Sequence, residues 1–131
     1  MQDKRRRRFI LDRIYARWIG SIFTVIGVIG FFVQDLFGIL HLHTAHNVFH
    51  LLIGITGIAA SVLPGWALRY TQISGIAYLL LGILGFFVPE LFGLMHLALS
   101  DNIVHLVFGA LGTYIGFVLN TNQLVIQKKT A

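Results

Sequence analysis

At 131 residues, with 56% hydrophobic residues, 11% charged residues and 14 glycines, the chain is too apolar and too poor in charge for a water-soluble domain of its length. It has no cysteine, which excludes disulfides, thiolate metal sites and thiol nucleophiles and leaves His, Asp, Glu and Asn as its ligand inventory. A net charge of +5 calls for an anionic partner, but no aromatic or fold motif for nucleic acid accompanies it, so that partner is expected to be a membrane surface and not nucleic acid.

Residues 1–13 form a basic arm in which Lys4 to Arg8 is an unbroken run of cations. Near an anionic bilayer each such residue contributes about 1 kcal/mol, so anionic lipid is the expected partner of the arm. A basic segment ahead of an apolar run also imitates an export signal, and Arg6-Arg7-Arg8-Phe9-Ile10 loosely matches a twin-arginine motif. No small-x-small cleavage site follows, and Asp12, Arg13 and Arg17 interrupt the approach. The segment is therefore expected to stay in place as the first membrane helix, about Ile14 to Val33. This run is short for a hydrocarbon layer of roughly 30 Å, and Arg13, Arg17 and Trp18 extend it by snorkelling to the headgroups.

A loop, Gln34 to His46, follows; it is apolar through Leu36-Phe37-Gly38-Ile39-Leu40 and leads to a second helix at about Asn47 to Leu63. A short turn carries Arg69 into a third helix, about Gln72 to Val88, and a second apolar loop, Pro89 to Asp101, leads to a fourth, about Asn102 to Leu119. Apolar loops of this kind do not stand free in water. Each is expected to hold a short interfacial helix, with Pro89 suited to a first turn and Asp35 and Glu90 placed to favour the helix N-terminus.

The third and fourth helices repeat the first and second. Gly27 to Leu42 returns at a constant offset as Gly82 to Leu97, and the register carries on, with Asn47 on Asn102, His50 on His105, Gly54 on Gly109 and Gly57 on Gly112. Roughly half of the aligned positions are identical, which marks a duplication. Each unit, about 14–63 and 72–119, makes two crossings, so both copies share one orientation. The expected fold is a single all-α domain, an integral membrane four-helix bundle made of two parallel-repeat helical hairpins.

At 100° per residue, Asn47, His50, Gly54, Gly57 and Ser61 share one face of the second helix, and Asn102, His105, Gly109, Gly112 and Gly116 share one face of the fourth. Gly20, Gly27 and Gly30 stripe the first helix as Gly75, Gly82 and Gly85 stripe the third. Because helices in lipid gain little from apolar burial against each other, close approach at small residues supplies the packing, and these faces are expected to meet inside the bundle. All ten Lys and Arg, Lys128 and Lys129 included, fall on one side of a four-pass chain. By the positive-inside rule that side, with both termini, is expected to be cytoplasmic.

The six histidines then lie together on the external side: His41, His43, His46, His50, His96 and His105. His41 pairs with His96, and His50 with His105, across the repeat. One reading is structural: His50 and His105 donate to a loop carbonyl or to Asp35 and Glu90, closing the loops over the helices, while Asn47 and Asn102 cap the second and fourth helices. A second makes His50 and His105 axial ligands of a haem or chlorophyll-type pigment, with Gly54 and Gly109 giving the flat ring room. A third is a metal ion held by His46 and His50, at i and i+4, with His43 or Asp35 completing the set. The second unit has Asp101 for His46 and Ala98 for His43, which allows one such site and not two.

Neither a nucleophile set, a His-Glu-x-x-His helix nor a phosphate loop is present, and no charge or helix break sits at the membrane midplane to support transport. The duplicated Gly-Phe-Phe, Leu-Phe-Gly-x-x-His-Leu and Asn-x-x-His-Leu-x-x-Gly-x-x-Gly patterns, the last at Asn47 to Gly57 and Asn102 to Gly112, resemble a small bacterial membrane-protein family, domain of unknown function 4383, over about Trp18 to Leu119. The resemblance implies a four-helix protein of a bacterial cytoplasmic or internal photosynthetic membrane and brings no catalytic residue with it. The expected function is that of a non-enzymatic multi-pass membrane protein, an accessory or scaffold subunit packed against other membrane-protein subunits of a larger complex. The competing expectation is a haem-, chlorophyll- or metal-binding module built on the external-side histidines.

Overall fold

The spans Ile10–Gly30, Thr44–Val62, Trp66–Phe87 and Leu99–Val118 are each long and apolar enough to cross a bilayer, so the chain is a multi-pass membrane protein. The computed structural model describes residues 2–41 and 43–119. Met1, Leu42 and residues 120–131, Lys128 and Lys129 among them, lie outside the described residues, as do the side chains of residues 2–9, 36, 40 and 41. Helices α1 (Gln2–Gly30), α2 (Thr44–Val62), α3 (Trp66–Phe87) and α4 (Leu99–Thr113) form a four-helix bundle in which α1 packs chiefly on α2 and α3 on α4. A π-helical segment, Tyr114–Val118, prolongs α4.

Every helix starts earlier than its apolar run. Thr44 and Leu99 open α2 and α4 three residues ahead of the expected Asn47 and Asn102, and Trp66 opens α3 six ahead of Gln72. Polar residues interrupt an apolar run without interrupting the backbone ladder, so Arg69, expected in a turn, lies inside α3. The α2–α3 connection shrinks to Leu63, Pro64 and Gly65, and Gly65 takes the φ of 77° that the reversal requires.

Within each hairpin, the glycine stripes set the closeness of approach. A Cβ at Gly20 would sit 2.6 Å from the Ile58 nitrogen and 2.8 Å from the Gly54 carbonyl oxygen; the repeat-equivalent Gly75 would place one 2.6 Å from the Gly112 carbonyl carbon. Backbone therefore meets backbone, as small residues permit in lipid.

Between the hairpins, the contacts are reciprocal. Tyr15 Oη donates to the Phe108 carbonyl and Tyr70 Oη donates to the Ile53 carbonyl, both at 3.0 Å, and in each case donor and acceptor sit at equivalent repeat positions. Thr71 Oγ1 donates to the Asp12 carbonyl at 3.4 Å, which sets the start of α3 beside α1 and makes the two hairpins run the same way. At the centre, the equivalent residues Phe23 and Tyr78, each 1% exposed, stack with ring centroids 4.9 Å apart and planes 14° from parallel. They mark the pseudo-twofold axis, with Tyr15 and Ile19 completing the buried core.

The loops differ from expectation in detail. The second holds one 3-10 turn, Leu91–Gly93. In the first, ahead of α2, no helix forms among the described residues; β1 (Asp35–Leu36) and β2 (Leu40–His41) pair antiparallel as a two-residue ladder. A loop this short closes its polar backbone more fully as a hairpin than as a helix too brief to pair its own ends.

Candidate functional site

The loop end of the bundle gathers almost all of the chemistry-bearing side chains singled out by the repeat. Its surface consists of two matching turns. Phe37 and Gly38 have φ of 59° and 68°, and Leu91, Phe92 and Gly93 have 36°, 58° and 80°. Glycine takes these angles freely, whereas for phenylalanine the left-handed region costs roughly 1–2 kcal/mol. Both strained phenylalanines point outward, Phe37 87% and Phe92 78% exposed.

Polar groups of the loops are satisfied locally. Asp35 Oδ1 accepts the Gly38 N–H at 3.0 Å, and Glu90 Oε1 pairs with His96 Nδ1 at 2.8 Å. Ser100 Oγ donates to the Ile39 carbonyl at 2.6 Å and so ties the first loop to the start of α4. Asp35 and Glu90 are thus engaged within their own loops and do not receive His50 or His105. Nor do Asn47 and Asn102 cap helices. Because α2 and α4 start early, His43 and Ala98 occupy the N-cap positions, and the Ala98 N–H is taken by Asp101 Oδ2 at 2.9 Å. The asparagine side chains instead fill the notches left by Gly30 and Gly85, where any Cβ would collide with them. His41, the repeat partner of His96, ends β2, and its side chain lies outside the described residues.

Beneath the loops lies a histidine cluster. His46 and His50 come from α2 and His105 from α4, and one ring nitrogen from each lies within 4.8 Å of the others. Ring centroids are 4.2 Å apart for His46 and His50 and 6.1 Å apart for His46 and His105. Phe23 covers His50 at 4.8 Å and Tyr78 covers His105 at 5.3 Å, so the cluster rests on the stacked pair at the axis. All three histidines are buried. Among the described residues, both nitrogens of His46, both of His50 and Nδ1 of His105 have no hydrogen-bond partner. An unpaired buried polar atom costs about 1–3 kcal/mol, and lipid supplies no water to relieve it. Asp101, at the repeat position equivalent to His46, interacts electrostatically with His46.

Of the expected sites, the structure unites parts of two. His50 and His105 do meet, as the paired cofactor site requires, but the glycines beside them are closed. A Cβ at Gly54 would lie 2.8 Å from the Gly20 carbonyl oxygen, and one at Gly109 would lie 2.6 Å from Leu79 Cα. Helix packing fills the space that a haem or chlorophyll-type ring needs. Of the metal set, His46 and His50 are together and His43 is exposed outside the cluster; the third imidazole is His105, from the other repeat. Sequence reasoning missed the inter-hairpin tyrosines, although Tyr15 and Tyr70 occupy equivalent repeat positions and that match was the available signal.

A family model, described as a domain of unknown function (DUF4383), matches residues 13–118. No curated protein and no solved structure matches the chain.

Proposed function

The chain belongs to the DUF4383 family, and we propose that it is a non-enzymatic accessory subunit that docks on a larger membrane complex through its loop end. The observation that carries this reading is the pair of strained Phe-Gly turns. Two phenylalanines are held at φ near 58–59° with their side chains turned away from the bundle. The turns' own hydrogen bonds close the backbone but leave both rings outside the bundle, and burial of two aromatic rings in a partner would offset the strain. Phe32 and Phe87, also largely exposed, widen the same apolar rim.

Extraction of native membranes in mild detergent is expected to release the protein in a larger complex of fixed stoichiometry. Phe37→Ser combined with Phe92→Ser is expected to free the chain while leaving its own elution and helical content unchanged. A wild-type chain that runs as a lone protomer in several detergents overturns the proposal.

The orientation we propose follows from charge, with both termini and Arg69 cytoplasmic, the histidine end external, and the basic arm on anionic lipid of a bacterial cytoplasmic or internal membrane. A cysteine placed at His43 or Ala98 is then labelled by an impermeant reagent in intact cells. One placed at Arg69 or Lys128 is labelled only after permeabilisation, and the reverse pattern overturns the orientation.

A further inference from the structure

We infer that His46, His50 and His105 bind one first-row transition-metal ion of the zinc–copper class, clamping the two hairpins to each other. The geometry is close to what coordination needs. A point central to three atoms no more than 4.8 Å apart lies at most about 2.8 Å from each, against zinc–nitrogen distances of about 2.0–2.1 Å. Closing that gap takes side-chain shifts of under about 1 Å, which small χ rotations of three imidazoles supply. No backbone needs to move.

Chemistry selects the ion. The donors are three imidazoles with no thiolate, a set that suits zinc and copper and is poor for the hard cations magnesium and calcium. Five ring nitrogens of the cluster have no hydrogen-bond partner among the described residues, and an ion shared among them satisfies three at once. A dipositive charge inside a bundle needs an opposing charge nearby, and the buried Asp101 carboxylate beside His46 provides one. Three protein ligands leave a coordination position open.

The site is single because the repeat breaks here. Four histidines would meet if both units carried one at the position of His46, but the second unit has Asp101. One repeat therefore contributes two ligands, and the other contributes one ligand and the compensating charge.

The test uses full-length protein purified in detergent, stripped with a chelator, incubated with Zn2+ or separately with Cu2+, and desalted before elemental analysis. One ion per chain is expected with either metal. His50→Gln and His105→Gln are each expected to retain at least ten-fold less, while His43→Ala and His96→Ala, which remove exposed histidines, still retain one. Far-UV circular dichroism and size-exclusion profiles check that each variant is folded. If both glutamine variants misfold, Co2+ loaded into the wild type carries the test, since imidazole coordination at one site gives intense visible d–d bands that saturate at one equivalent. A folded wild type that retains neither metal overturns the proposal. So does undiminished binding in the folded His50→Gln and His105→Gln chains, or a Co2+ titration without such bands.

Discussion

Gly75→Leu is expected to abolish folded, monodisperse protein. A Cβ at this position already lies 2.6 Å from the Gly112 carbonyl carbon, and its neighbours are backbone atoms of α4 that cannot rotate aside. Leucine adds three more carbons into the same contact. Overpacking a core costs about 1–3 kcal/mol when side chains can yield, and here the helices themselves have to part, so the loss is expected at or above about 3 kcal/mol. Separating α3 from α4 also exposes the Asn102 and His105 face to lipid, where its polar groups lose shelter. Gly20→Leu should do the same to α1 and α2, since Gly20 meets Gly54, Gly57 and Ile58 in the same way. Size-exclusion profiles and far-UV circular dichroism in mild detergent check both. Ile73→Leu, 70% exposed on the outer face of α3, serves as the control that leaves the profile unchanged. A Gly75→Leu chain that elutes and melts like wild type would mean that the backbone contact is not what holds the hairpin.

Phe23→Ala is expected to cost about 2–3 kcal/mol, from roughly 100 Å3 of removed side chain at about 24 cal/mol per Å3 of cavity. The figure is below that for a water-soluble core because in a bilayer the exposed side chain also meets apolar surroundings, so what is lost is packing and not hydration. Location raises the stakes. Phe23 touches Tyr78, His50 and Phe108, and so bridges both hairpins and one histidine of the cluster. Denaturant titration of helicity reads the loss. Phe32→Ala, at an 85% exposed position, is expected to show none, and equal effects at the two positions would refute the assignment of Phe23 to the packed axis.

Much of the fold was legible because the chain states it twice. A stripe of glycines seen once is ambiguous between packing and flexibility; the same stripe at Gly20, Gly27, Gly30 and at Gly75, Gly82, Gly85 fixes which face is buried. What hydropathy could not read were the helix starts, since His43 to His46 and Ser100 to Asp101 look like loop by polarity yet lie at or inside helix first turns. That error propagated to the site. The reading in which Asn47 and Asn102 cap helices and His50 and His105 bond to the loops depends on those late starts; with α2 and α4 starting earlier, the histidines lie a turn further into the bundle and face each other's repeat, as the expectation that the small-residue faces meet inside it requires. The histidine cluster was half legible. His46 and His50 share a helix and their spacing shows it, but His105 joins them only through the packing of two hairpins, which no local period encodes. The loops were least legible, because a Phe-Gly reversal with φ positive at both residues is not what phenylalanine prefers on its own.

The reciprocal bonds of Tyr15 to Phe108 and Tyr70 to Ile53 carry a consequence for the origin of the chain. An interface in which residue i meets j while the copy of i meets the copy of j is isologous, the kind made by a twofold homodimer. A half-length ancestor with one tyrosine and one acceptor carbonyl could have built this bundle from two identical subunits. In such a dimer every mutation appears twice, so a histidine facing an aspartate across the axis cannot arise. Once the gene was duplicated the positions of His46 and Asp101 could part company, and the covalent link keeps the two unlike halves paired one to one beneath the loops.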